Sequence, residues 1–178
     1  FILFKEEFLQ MRCVVDTSAV SWLGRIERLD LFREIYKTIY APERVLEELE
    51  PHKSTKEFVS RNIIPITFNS EKEQRRFYSL VRRWSKKVSL EDIADIQVFI
   101  GYKFFTDADE ALYANKEAEA KLSRYGNVRD IYSLYELAEE RRIFTRKDSI
   151  SYLESLLNLE PPYQPKIIKG VLDKLIKN

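Results

Sequence analysis

Apolar residues arrive along this chain in short bursts, and the spacing within each burst sets the element it predicts. RCVV (12–15) is an unbroken apolar run and reads as a short buried strand. The segment SAVSWLGRI then takes up helical spacing, with Thr17 or Ser18 available as its cap. LDLFREIY (29–36) predicts a second helix and KTIYAP (37–42) a second strand. Pro42 suits the first turn of the helix ERVLEELE, and Pro51 ends it. After a helical stretch near 54–60, NIIPIT (62–67) reads as a third strand, which its proline confines to a sheet edge.

The second half is more helical. In EKEQRRFYSLVRRWSKK (71–87), Phe77, Leu80, Val81 and Trp84 recur at i, i+3, i+4 and i+7, one face of an amphipathic helix. SLEDIADIQVFIGYK continues as another. KFFTDAD (103–109) predicts a fourth strand leading into the helix DEALYANKEAEAKL, and a short strand is expected near Asn127 and Val128. Three further helices follow, striped by Ile131, Leu134, Tyr135 and Ala138, then by Ile150, Leu153 and Leu157, then by Ile168, Val171, Leu172 and Leu175. Pro161, Pro162 and Pro165 separate the last two. Strands alternating with helices predict an α/β fold: a mostly parallel sheet of about four to five strands, covered on both faces as a three-layer α/β/α sandwich. No internal repeat or low-complexity tract interrupts the pattern, so 11–178 reads as one domain.

Composition narrows the chemistry. With 44% apolar and 33% charged residues over 178 positions the chain reads as a globular protein. No apolar run approaches the ~20 residues of a membrane span. The opening FILFKEEFLQ lacks the basic start and small-residue cleavage site of a signal peptide, and Met11 offers a start after a ten-residue extension, 1–10. A lone cysteine, Cys13, excludes an internal disulfide and fits a reducing cytoplasm. Lys, Glu, Arg and Tyr are abundant and there is a single Met, a bias of thermophile proteins. With one His, His52, in a polar stretch, and Cys13 inside a strand, a Cys–His or Ser–His nucleophile is disfavoured. Four glycines, at 24, 101, 126 and 170, build neither GxGxxG nor GxxxxGK[ST], which excludes dinucleotide and P-loop sites. Catalysis, if present, falls to carboxylates.

Sites in open α/β sheets form beyond the carboxyl ends of the strands. VVD and FFTD place Asp16 and Asp107 at two such ends. Glu48 follows the second strand on a helix, and Asp92 starts the helix leading into FFTD. Four acids sharing one pocket repel each other and resist desolvation unless a cation joins them, and an all-oxygen set suits Mg²⁺ or Mn²⁺. Each acid also has a structural explanation. Asp92 stands third after Ser89 and Asp109 third after Thr106, as in capping boxes. Asp16 could serve a helix N-terminus, and Glu48 one solvated face. Their joint arrangement favours a site.

VVDTSAV, IYAPERVLEEL, VSLED and FFTDAD, in this order, resemble the PIN domain, a metal-dependent nuclease fold found in toxins of prokaryotic toxin–antitoxin pairs and in RNA-processing factors. RYGNVRDIYSLYELAEERRI and the ending PPYQPKIIKGVLDKLIK resemble the tail of an archaeal and bacterial PIN subgroup of unassigned function. The resemblance implies a catalytic set of Asp16, Glu48, Asp92 and Asp107, with Asp16, Asp92, Asp107 and Asp109 holding Mg²⁺ or Mn²⁺. Thr17, Ser18 and Thr106 would steady carboxylates or metal-bound water. Glu47 competes with Glu48, which precedes Leu49 as the family's acid does, and Asp95 competes with Asp92 one helical turn on. The implied activity is hydrolysis of phosphodiester bonds in single-stranded RNA. A catalytically inactive module that binds RNA or a protein partner is the second reading. The implied partners are RNA, an antitoxin-like protein and a second copy of the chain. A dehalogenase-like fold would want an acid where Ser18 stands.

Lys72, Arg75, Arg76, Arg82, Arg83, Lys86 and Lys87 share the helix at 71–87 with Glu71 and Glu73. Once its apolar stripe faces inward, the outer face is basic. It is either a solvated charge run or a strip that tracks phosphates. Trp84 continues the stripe and reads as core. Overall charge adds nothing, because 30 basic residues meet 29 acidic ones.

Overall fold

Five short strands, every one parallel to its neighbours, make the sheet of the computed structural model, which describes residues 11–177. The extension expected at 1–10 lies outside the described residues. Strand β1 (Arg12–Val15) is central, in the order β3-β2-β1-β4-β5, with β2 at Thr38–Ala41, β3 at Ile63–Pro65, β4 at Glu110–Tyr113 and β5 at Val128–Asp130. In register, Cys13 lies between Ile39 of β2 and Glu110 of β4. Covered on both faces, β1 has no need of polar alternation: Cys13, Val14 and Val15 are all fully buried.

Helices flank this sheet as the outer layers of an α/β/α sandwich. They are α1 (Thr17–Arg25), α2 (Asp30–Ile35), α3 (Glu43–Leu49), α4 (Lys53–Asn62), α5 (Glu71–Val88), α6 (Ile93–Ile100), α7 (Lys116–Leu122), α8 (Leu134–Glu140), α9 (Arg146–Leu157) and α10 (Pro165–Lys177). The α/β class and the parallel sheet match the sequence expectation, and Pro65 stands on an edge strand as its missing N–H requires. The stripe of α5 buries Phe77, Val81, Trp84 and Val88, so Trp84 is core, with the Lys87 ammonium 4.1 Å from its ring centre.

One element departs from expectation and moves the site. KFFTDAD is not the fourth strand. Helix α6 continues into a turn of π-helix (Gly101–Phe105), and a short turn then leads to β4 at Glu110–Tyr113. Glu, Ala and Leu favour helices, which hid this strand, while Phe-Phe-Thr imitated one. Burial between β1 and β5 overrides the local preference: all four residues of β4 are buried. Asp107 and Asp109 therefore precede β4 and lie at the amino ends of the strands. Asp109 accepts the Arg12 backbone N–H at 2.7 Å, and Asp107 pairs with the Arg12 guanidinium at 2.6 Å and accepts the Tyr40 hydroxyl at 2.9 Å.

Among the described residues no helix is long and apolar enough to cross a membrane.

Candidate active site

Three chain segments meet beyond the carboxyl ends of β1 and β4. Asp16 directly follows β1 and is itself the N-cap of α1, the role the sequence offered to Thr17 or Ser18. Its Oδ1 accepts the Ala19 N–H at 2.6 Å, and its Oδ2 faces the Ala114 N–H at 3.4 Å, just past β4. Both bonds stabilise a carboxylate, yet the side chain is only 2% exposed. Burial raises its pKa well above the usual carboxylate range, with the charge of Asp95 adding to the rise.

Asp95 comes from the first turn of α6, which packs on the sheet beside β1 and β4. Its Oδ2 accepts the amide N–H of Asn115 at 2.6 Å, and its backbone carbonyl accepts the Tyr113 hydroxyl at 2.6 Å. Burial, together with the charges of Asp92, Glu48 and Glu117, pushes its pKa up to about 7 against the opposing Asn115 bond. Asp92 is exposed and spends an oxygen on the Ala94 N–H as the N-cap of α6. Of the two rivals, then, Asp95 faces Asp16, and Asp92, the acid of VSLED, stands at the rim.

Glu48 arrives on α3. Its Oε2 accepts the Thr17 hydroxyl at 2.6 Å, and its Oε1 pairs with Arg44 at 3.0 Å, one helical turn back. Glu47 points to solvent, so Glu48 is the acid that reaches this cleft.

The structure thus brings together Asp16, Glu48 and Asp95, with Thr17 bonded to Glu48 and Asp92 at the edge. It does not bring in Asp107 or Asp109, which lie at the other end of the sheet, nor Thr106, whose hydroxyl bonds the Gly101 carbonyl within its own turn. Ser18, beside Thr17 at the start of α1, makes no side-chain hydrogen bond among the described residues. Asn115 and Tyr113 escaped sequence reasoning because ALYAN was read as helix. The signal was there: a run of small and apolar residues ending in Asn, a favoured N-cap, just before KEAEAKL.

Among the described residues, no three His, Cys, Asp or Glu side chains already stand in ligating geometry for one ion. The donor set nonetheless fits a hard divalent cation. Its atoms are all oxygens. Asp16 and Asp95 are buried acids that destabilise each other, and neither forms a salt bridge among the described residues. A cation between them would relieve both desolvation and repulsion.

In comparison with known proteins, a family profile described as PIN domain matches residues 12–98, a stretch that includes Asp16, Glu48, Asp92 and Asp95. No curated protein matches the chain, and no solved structure does. The match runs from the first strand into the helix that carries Asp95, within the all-parallel α/β architecture: residues 12–98 of the chain belong to the PIN-domain family.

Proposed function

We propose that the chain is a metal-dependent endoribonuclease that hydrolyses phosphodiester bonds of single-stranded RNA at the Asp16–Glu48–Asp95 cleft. PIN domains are generally nucleases and usually employ a divalent metal. The observation that carries the reading is the buried pair Asp16 and Asp95, two acids facing one cleft without a basic partner among the described residues. Mg²⁺ or Mn²⁺ bound there would polarise a phosphate oxygen and lower the pKa of a bound water. Asp16, Glu48 and Asp95 would hold it, with Asp92 at the rim. The Ala19 and Ala114 amides fix Asp16, and the Thr17 hydroxyl fixes Glu48. This arrangement costs no reorganisation when charge develops on a phosphate.

Supporting the choice of RNA, α5 carries its cations outward. Arg75, Arg76, Arg82, Arg83, Lys86 and Lys87 are all exposed, and the helix ends at Val88, just before the loop that leads to Asp92. We assign this face to the phosphates flanking the cut. By the same reading the chain is cytoplasmic, with a second copy and an antitoxin-like protein as candidate partners.

A second reading, an inactive PIN module that binds RNA or a protein, draws on one observation. Asn115, an amide, stands at the end of β4 beside Asp95, so the strand end contributes no carboxylate there.

Replacing Asp16→Asn separates the two. Asn keeps the shape and the capping oxygen but loses the charge that holds a hard cation. Expected are Mn²⁺-dependent cleavage of single-stranded RNA by the native protein, none by the variant, and a melting temperature for the variant in metal-free buffer at least equal to the native one. Absence of both cleavage and Mn²⁺ stabilisation in the native protein would leave the binding module. Collapse of the variant's fold would make Asp16 structural.

A further inference from the structure

Tyr113 is the last residue of β4, the backbone is extended again at Asn115 two residues on, and both side chains turn toward the same face. That face is α6, and both side chains grip one residue on it. The Tyr113 hydroxyl holds the backbone carbonyl of Asp95, and the Asn115 amide nitrogen holds its Oδ2, each at 2.6 Å. Between them, Ala114 turns its N–H to Asp16. Three consecutive residues thus couple the two buried acids of the cleft.

Asn115 is occupied at both ends. Its Oδ1 accepts the Glu117 and Ala118 N–H groups at 3.0 and 3.3 Å and caps α7, which fixes the flip of the amide and directs the nitrogen at Asp95. With its oxygen committed to the helix and its nitrogen a donor, Asn115 has no lone pair aimed at a cation. No hydrogen bond among the described residues reaches Asp95 Oδ1, nor is that atom among the buried polar atoms lacking a partner. Only its Oδ2 is tied, and Oδ1 stays open.

We infer that Asn115 is a positioning residue of the cleft: its amide, anchored on the N-terminus of α7, locks the Asp95 carboxylate so that Oδ1 alone is presented to a divalent cation. The inference rests on the nuclease reading for its cation and on the hydrogen bonds alone for the lock. An aspartate at this position would keep the cap and lose the lock, because two carboxylate oxygens cannot share the 2.6 Å contact without a proton or a cation between them. The amide is thus the side chain that can serve α7 and Asp95 together.

The test uses Asn115→Ser. Serine caps a helix about as well as asparagine, so α7 keeps its start. Its hydroxyl lies a bond closer to the backbone and falls short of Asp95. Mn²⁺ binding is followed by the electron-spin resonance of the free ion, and crystal structures of both metal-free proteins give the Asp95 carboxylate position. Partners that orient a metal-binding side chain typically contribute about 10–100-fold in affinity, so a loss of that order is expected, with Asp95 spread over more than one rotamer. Melting in metal-free buffer should barely change. Asn115→Ala, which also removes the cap, should show the same loss of affinity and a lower melting temperature. Native affinity in Asn115→Ser, or an Asp95 that keeps its single position, overturns the assignment. A native protein that binds no Mn²⁺ would remove the nuclease reading instead. The crystallographic comparison then still decides on Asn115, and an unmoved Asp95 rejects it.

Discussion

Asp95 holds its proton to about pH 7 because burial and the neighbouring Asp92 both disfavour its charge, and Asp16 is shifted the same way. A carboxyl whose pKa is raised on folding stabilises the folded state while it is protonated, and that contribution is lost as pH rises through the folded value. Metal-free protein should therefore lose stability between about pH 4 and about pH 7, the interval from an ordinary carboxyl to the value of Asp95. Saturating Mn²⁺ should reduce that slope by replacing the proton with a cation, and Asp95→Asn should reduce it without metal, leaving the part due to Asp16 and to Asp130, which burial pushes up to about 6. Melting temperatures across this range, with and without Mn²⁺, check the point. A slope identical in Asp95→Asn would remove Asp95 as its source. At this scale the sequence was partly legible. Asp16 showed itself by ending an apolar strand, and Glu48 only through the resemblance, by preceding Leu49 as the PIN family's acid does. Asp92 and Asp95 lie within one helical turn, so only the packing of α6 against the sheet reveals which one is buried. Asn115 carries no charge and drew no notice.

Element boundaries explain the larger miss. The expected fourth strand was placed on KFFTDAD, seven residues too early, because aromatic and β-branched residues outweighed the helix formers of EALY. A shift of that size moves the acids of FFTDAD from the carboxyl to the amino ends of the strands. Asp107, expected at a carboxyl end, stands at an amino end and is neutralised by Arg12. The amphipathic α5 was read correctly because eighteen residues of stripe leave little ambiguity. Its outer face supports a separate expectation. Replacing Arg82, Arg83, Lys86 and Lys87 by Gln should weaken RNA binding and flatten its dependence on salt, since fewer counterions are released. These four make no salt bridge among the described residues and all are exposed, and beyond the Lys87 ammonium over the Trp84 and Tyr125 rings little is lost, so the fold should stay intact. Titrations at several ionic strengths give the slope, and an unchanged slope would return the helix to a solvated face.

Across the whole molecule, the family match ends within α6, yet the structure continues to build on the same sheet. Strands β4 and β5 extend it on the side away from β2. The segment after α9 folds back so that the Tyr163 hydroxyl and the Gln164 amide donate to Asp130 at the end of β5, while the Tyr163 ring packs on Trp22 of α1 at 4.8 Å. Residues distant in sequence thereby tie the end of β5 to α1. One consequence concerns the only thiol. Cys13 is fully buried between β2 and β4, and burial pushes its pKa up, so both access and ionisation protect it. Alkylation in native buffer then has to wait for the central strand to open. The labelling rate becomes a clock for rare unfolding events, readable without denaturant or heat. Ligands that bind only the folded state slow such a clock in proportion to occupancy. Mn²⁺ should therefore delay the reaction of Cys13 in the native protein and leave it unchanged in Asp16→Asn, as mass spectrometry of the alkylated chain would record. Equal rates with and without Mn²⁺ in the native protein would mean that the cation does not bind the folded chain.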